Sequence, residues 1–406
     1  MHASNRRFVA TRPTFAELWA NPLELRQAGG YAHTLAEIWQ QPEMWTDAAR
    51  RAASLRGSID SAKAIVLTGS GSSFYVGKCI ANSLQESTRL PVTALESGEI
   101  LMLGAGVLPP ERPLLVVSFA RSGDSPESWG LVQHLLDEEP GISHLLITCN
   151  PNGRLARRWG AGGPVSGSSV PDPRVNVLLL DERCCDRSLV MTSSFTSMVV
   201  AGMALANPER YLETVEALAA SVSHFLGNEL APIEESPIEK IHRMIAVGSG
   251  VLQGAALESA LKMLEMSDGR VLTRSETCLG LRHGPMCALD KRSLLFVPLS
   301  SHPLRRAYQM DLLKEVDQKR LGCWKIVIGG SVPSEIIQSG DLAIELPVLR
   351  ELGDEWLAVA AVVAGQLLAF LRCRDEGLRP DAPAVSDSIS RVVGEFKLHN
   401  LSAEVG

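Results

Sequence analysis

Residues 64–77 read AIVLTGSGSSFYVG, and residues 243–254 read RMIAVGSGVLQG, 179 positions later. Each copy is an apolar run, then Gly-Ser-Gly, then an apolar stretch of helical character. A chain that repeats strand, tight turn and helix builds one architecture twice. Glycine lets the backbone turn sharply after a strand. The helix behind it offers unpaired N–H groups and positive dipole potential to an anion.

The repeat runs on beyond the turn. PLLVVSFARSG (113–123) corresponds to RSLLFVPLSSH (292–302), and HLLITCN (144–150) to CWKIVIGG (323–330). RVNVLLLD (174–181) corresponds to GDLAIELP (340–347), and SMVVAGMALA (197–206) to AVVAGQLLAF (361–370). Each half thus holds about four short apolar runs separated by helix-length segments. Such runs indicate parallel strands buried on both faces, with ligands at their carboxyl ends. The expected fold class is α/β, with two doubly wound parallel-sheet domains in tandem. A helical extension (1–45) precedes the first domain (46–206). A connecting helix (207–232) leads to the second (233–376), with APIEESP (231–237) as linker. A Pro- and Ser-rich tail (377–406) is expected to lie across the surface.

A formal net charge of −7 argues against nucleic acid as a partner. No run of ~18 apolar residues stands out, so no membrane span is expected. The N-terminal MHASNRRFVATRPTF has charge but no apolar core or cleavage site, which points to a cytoplasmic protein. The cysteines are Cys79, Cys149, Cys184, Cys185, Cys278, Cys287, Cys323 and Cys373, with no CxxC pair. That pattern suits reduced thiols rather than disulfides or a metal site; only the vicinal Cys184 and Cys185 stand out.

The first turn, TGSGSSF (68–74), is no Walker loop, because no Gly-Lys-Ser/Thr follows. It is also a poor dinucleotide fingerprint, with Phe74 where the third glycine belongs. The next loop, SFARSGDSPES (118–128), is again rich in hydroxyls. Either loop alone fits an ordinary turn with a helix cap. Two on neighbouring parallel strands would meet at one edge and cradle a phosphate with hydroxyls and N–H groups. Arg121 fits either added charge or a solvated arginine. In the second half, Glu258, Lys262 and Glu265 fall on one helix face at i, i+4 and i+7. That spacing suits a proton-transfer group and equally a salt-bridged solvent face. His283, in LRHGP, fits an acid–base group or a structural one.

The ordered series GSGSS, SFARSGDSPES, TCN, MTSS, ESALKMLE and RHGP closely resembles the sugar isomerase (SIS) domain in tandem. The specific resemblance is to the galactosamine-6-phosphate deaminase/isomerase family, also called tagatose-6-phosphate ketose/aldose isomerases. It runs from about His33 to His399 and includes EIWQQPEMW, SSHP and GLRPDAP followed by RVV. The resemblance implies that Ser73, Ser122 and Ser125 hold a sugar phosphate, with Gly71, Ser72 and Arg121 beside them. Glu265 matches the base that moves a proton between C1 and C2. Lys262 and His283 match groups that assist ring opening, and Glu258 a neighbour that orients them. In the related glucosamine-6-phosphate synthase the matching histidine comes from the other subunit, so at least a homodimer is implied. SETCLGL and Met286 depart from the family pattern and bear on sugar specificity.

The expected activity is therefore release of ammonia and a ketose 6-phosphate from an amino sugar 6-phosphate. Proton transfer through an enolamine needs neither redox cofactor nor metal. Two alternatives stand beside it: a plain aldose–ketose phosphosugar isomerase and a sugar-phosphate-sensing regulator. The regulator would carry a DNA- or partner-binding segment, and 45 weakly basic residues are short for one.

Overall fold

The computed structural model describes residues 12–160, 172–386 and 388–399. Its first sheet holds β1 (Ala64–Gly69), β2 (Val92–Glu96), β3 (Leu114–Ala120), β4 (Ile142–Thr148) and β5 (Val175–Leu179). All pair in parallel, in the order β2-β1-β3-β4-β5. The second sheet holds β6 (Arg243–Val247), β7 (Leu272–Glu276), β8 (Ser293–Leu299), β9 (Trp324–Gly329) and β10 (Leu342–Glu345). Its parallel order is β7-β6-β8-β9-β10. Counted within each half, both sheets read 2-1-3-4-5, the flavodoxin-like doubly wound order. The duplication read from the glycine turns thus reaches down to strand order.

Each half has one strand more than its apolar runs suggested. The additions, β2 and β7, are edge strands whose residues are mostly half-exposed. An edge strand open to solvent needs no continuous apolar run, so VTALE and LTRSE carry no such signal. The central strands β1, β3 and β8 are buried at every position.

The glycine turns are near copies in backbone angle. Gly71 has φ 54° and ψ −125°, and Gly250 has φ 61° and ψ −132°. That region is open to glycine and strained for other residues. Each turn feeds a long helix, Ser72–Thr88 in the first half and Val251–Met266 in the second. These two helices pack on each other between the sheets. Helix Ser193–Ala206 packs on the first and helix Asp354–Asp375 on the second. One apolar core runs through all four.

Helix Ala32–Ala53 runs through position 45 and buries Leu35, Ile38 and Trp45 completely, so this part of the N-terminal extension belongs to the core. The first eleven residues, with the leader reading made on them, lie outside the described residues, as does the tail beyond residue 399. Helix Pro208–Asn228 joins the halves. The expected linker contains a helical turn, Ala231–Glu234, with Ile233 buried. Helix Asp354–Asp375 is long and apolar enough by composition to cross a membrane, but its whole apolar window is buried in the fold. It is apolar all round because it packs on every side.

Gly254 sits where the two homologous helices cross. A Cβ there would stand 2.5 Å from Cys79 Sγ, 2.6 Å from the Cys79 amide nitrogen and 2.8 Å from the Tyr75 carbonyl oxygen. Two of those atoms are backbone, so the helices themselves must separate. Gly254→Ala is expected to cost about 1–3 kcal/mol, the usual scale for overpacking. Chemical denaturation measures it, and unchanged stability would show that the crossing is loose.

Candidate active site

The carboxyl ends of β1 and β3 lie side by side, because these strands pair directly. Their loops therefore meet at one edge, and two helix N-termini, Ser72–Thr88 and Pro126–Glu138, start there. A cavity of about 520 Å³ opens at this edge. Gly71, Ser72, Ser73, Arg121, Ser122 and Ser125 all line it. Each loop is braced by a hydroxyl contact of its own. Ser70 Oγ lies 2.6 Å from Ser97 Oγ, and Ser125 Oγ lies 2.6 Å from Ser128 Oγ. Asn150 Nδ2 donates to the Ser122 carbonyl at 2.7 Å.

Lys262 and Glu265 reach the same cavity from the second half. The helix crossing at Gly254 makes this possible, because it lays one helix start beside the other helix's middle. Lys262 Nζ donates to Ser72 Oγ at 3.2 Å and to Glu265 Oε2 at 2.5 Å. Glu258 Oε1 stands 3.3 Å from the same ammonium, off the hydrogen-bonding direction. The salt-bridged solvent face considered for this helix is excluded. The Lys262 and Glu258 side chains are 1% and 0% exposed, whereas Glu265 keeps 22% and faces the cavity.

Burial sets the charge states. Desolvation pushes the Glu258 carboxyl up to about 7, with Lys262 pulling it back and Glu265 pushing it further. Burial by itself lowers an ammonium, but the two carboxylates outweigh it and hold Lys262 above its ordinary range. The result is a fixed cation between one hidden carboxyl and one that meets solvent.

Arg121 is neither solvated nor simply added charge. It is buried and donates to the backbone carbonyls of Leu189 and Arg391. Its role in the geometry is to tie cavity walls together. His283 is exposed and is not among the residues lining the cavity. Within one chain the structure does not bring it to Lys262 or Glu265.

Sequence reasoning missed two parts of the wall. Leu189 and Met191 line it from the loop before helix Ser193–Ala206. Residues 388–394 of the tail line it too, so the tail covers the cavity as well as the surface. Nothing in ISRVV marks this, because the segment forms neither helix nor strand and has no period to read. Buried Asp186 orders the first of these walls. Its carboxylate accepts backbone N–H groups of Thr192, Ser193 and Ser194 at the helix start.

No family model matches the chain. A Streptomyces coelicolor protein, named provisionally as D-galactosamine-6-phosphate deaminase AgaS, is 35% identical over 389 residues, 91% of this chain and 96% of its own length. An Escherichia coli D-galactosamine-6-phosphate deaminase AgaS is 31% identical over 377 residues, 90% and 95% of the two chains. Among solved structures, a tagatose-6-phosphate ketose/aldose isomerase from Escherichia coli matches with a TM-score of 0.79 at 29% identity. That match covers 91% of this chain and 97% of the other.

The raised Glu258 carboxyl gives a signed expectation. Between its ordinary 4.5 and about 7, the folded protein binds a proton that the unfolded chain does not. This contribution to stability is full in acid and is lost as pH rises through about 7. Wild type is therefore expected to lose stability relative to Glu258→Gln between about pH 5 and about pH 8. Denaturant unfolding of both proteins across that range measures it, and parallel profiles would contradict the assignment.

Proposed function

The chain belongs to the D-galactosamine-6-phosphate deaminase AgaS family, and on that premise we propose that it converts an amino sugar 6-phosphate to ammonia and a ketose 6-phosphate. The observation that carries this reading is the Lys262–Glu265 pair, 2.5 Å apart, facing the two serine loops across one cavity. Hydroxyls and two helix N-termini suit a phosphate. A half-exposed carboxylate beside a fixed ammonium suits proton transfer at the other end of a sugar.

In this reading the 46–206 unit holds the phosphate through Ser73, Ser122 and Ser125, with Gly71 and Ser72 beside them. The 233–376 unit supplies the chemistry. Lys262 steadies the oxygen that changes charge as the ring opens. Glu265 takes the C2 proton to give an enolamine and returns it at C1. Water then adds to the C2 ketimine, and ammonia leaves. Glu258 holds Lys262 in place. His283 completes the ring-opening group when a second copy of the chain brings it to the cavity mouth; its exposure, away from its own cavity, suits that arrangement. The protein acts in this reading as a cytoplasmic homodimer, and the steps balance without a redox cofactor.

The second reading is a plain aldose–ketose isomerase, favoured by the likeness to the tagatose-6-phosphate enzyme. Both readings use the same base. A coupled ammonia assay across hexosamine 6-phosphates separates them. Ammonia release is expected; isomerisation without it would favour the second.

Ser122→Ala with Ser125→Ala is expected to raise KM more than it lowers kcat. A phosphate remote from C1 and C2 is held alike in ground and transition states. A drop in kcat at constant KM would contradict the phosphate role. Glu265→Gln keeps shape and removes the proton acceptor. Turnover is expected to fall by ~10²–10⁴, the usual loss for a general base, or ~3–5 kcal/mol of barrier. Exchange of the substrate's C2 proton with deuterated solvent reads the step directly, and exchange at the wild-type rate would remove Glu265 as the base.

A further inference from the structure

A second cavity, of about 580 Å³, lies on the other side of Arg391 from the sugar site. Arg391 lines both, so one side chain is shared between them. The second cavity is also lined by Cys185 and Arg187 and belongs to no step of the proposed reaction. Three thiols gather at its wall: the vicinal Cys184 and Cys185 are joined there by Cys149, which the sequence gave no sign of placing beside them. Cys149 Sγ and Cys185 Sγ donate to one and the same atom, the Arg121 carbonyl oxygen, at 3.4 and 3.9 Å. Cys149 is wholly buried, whereas Cys185 is half-exposed. Cys184 is buried and turns to the Asp181 carbonyl at 2.8 Å. Among the described residues no group of His, Cys, Asp and Glu converges to hold a metal ion, this cluster included.

We infer that Cys185 is an oxidisable control thiol, with Cys149 as its resolving partner, and that it acts on the sugar cavity through Arg391. The geometry has the parts this needs: an entry cavity, a reachable thiol, a second thiol behind it and a cation beside it. Arg391 Nη2 lies 3.5 Å from Cys185 Sγ. The contact with Cys149, countered by burial and helped by Arg391, lowers the Cys185 thiol to about 7. A thiolate is the reactive form.

The oxidant is hydrogen peroxide or an organic hydroperoxide. The Cys185 thiolate attacks one peroxide oxygen, the O–O bond breaks, and the other oxygen leaves as hydroxide or alkoxide. Cys185 is then a sulfenic acid. Cys149 Sγ attacks that sulfur, an S–S bond forms, and the hydroxyl leaves with the Cys149 proton as water. Two thiols have given two electrons to one peroxide. The disulfide carries no charge for Arg391 and no proton for the Arg121 carbonyl. The Arg391 guanidinium then keeps only its bonds to the Asp186 carbonyl, beside the bond its own carbonyl accepts from Arg121, and residues 388–394, one wall of the sugar cavity, loosen.

The test uses the full chain, reduced and then exposed to hydrogen peroxide. Peptide mass mapping is expected to find a Cys149–Cys185 disulfide. Trypsin cleavage after Arg391 is expected to speed up by roughly threefold or more, as a loosened segment opens more often. KM for the sugar phosphate is expected to rise while kcat changes less, and dithiothreitol reverses all three effects. Cys185→Ser and Cys185→Ala should lose the response to peroxide, and because neither offers Arg391 a charge, both should show the raised KM and the faster cleavage at Arg391 before any peroxide is added. Cys149→Ser should leave a sulfenic acid that a dimedone probe traps. A Cys149–Cys184 link, both thiols still reduced, or a disulfide with unchanged cleavage at Arg391 would each overturn the inference. Only the KM arm rests on the proposed function; the sulfur and trypsin arms need no substrate, so the two readings fail separately.

Discussion

Helix Val251–Met266 approaches helix Ser72–Thr88 so closely at Gly254 that a single methyl group would strike the Cys79 amide. The site depends on that approach. Each helix follows a glycine turn at the carboxyl edge of its own sheet, so each brings its edge along. At a wider separation, Lys262 would not reach Ser72, and the serine loops and the carboxylates would form two incomplete clefts. Close packing of helices without a large side chain between them also lets one apolar core run through both halves. A change in the helix crossing is therefore a change in the site.

The same closeness explains the electrostatics. Glu258 and Lys262 are sealed between the helices, where an unpaired charge is costly. Neither is stable there alone. Together with Glu265 they form a chain that leads from the dry interior to the cavity, and only its last member meets solvent. Lys262 is held in one position by a partner on each side. A group that must meet a substrate oxygen in a fixed place benefits from that rigidity, since no reorganisation is needed when charge develops.

Much of this was legible in the sequence, and the reasons for the gaps are physical. The glycine turns, the central strands and the packed helices are dictated by local chemistry, and AIVLTGSGSS states it openly. Strands β2 and β7 stayed hidden because an edge exposed to solvent tolerates polar residues such as those of LTRSE. The serine loops were legible because loops on paired strands must share an edge, whereas Lys262 and Glu265 were marked out only by resemblance, since their spacing fits a solvent face equally. The tail was not. Residues 388–394 reach the cavity through contacts such as Arg121 to the Arg391 carbonyl, which no period or propensity records. Arg121 itself was read as either added charge or a solvated arginine, but it is buried and its hydrogen bonds go to the backbone. His283 is legible only by resemblance, because its own chain leaves it outside the cavity.

Two halves of matching strand order bring different groups to the cavity they share. The 179-residue offset sets Cys79 against Glu258, Ser83 against Lys262 and Tyr75 against Gly254. Glu258 and Lys262 thus have no counterparts on the first-half helix, and the glycine at the crossing lies on their helix too. The complementary loss is in the second half's loops. Ser300, in the loop after β8, gives its hydroxyl to Asp354 at 2.7 Å, and Arg305 pairs with the same carboxylate at 2.8 Å. An internal anion, 3% exposed, has taken a hydroxyl and a cation of this loop, whereas the first half leaves its loop hydroxyls lining the cavity. A free phosphate would have to displace a carboxylate already paired and buried, at the cost of leaving that charge without partners. One half fills its loop with its own side chain and carries the buried Glu258–Lys262 pair, and the other leaves its serine loops open to the cavity that Lys262 and Glu265 reach.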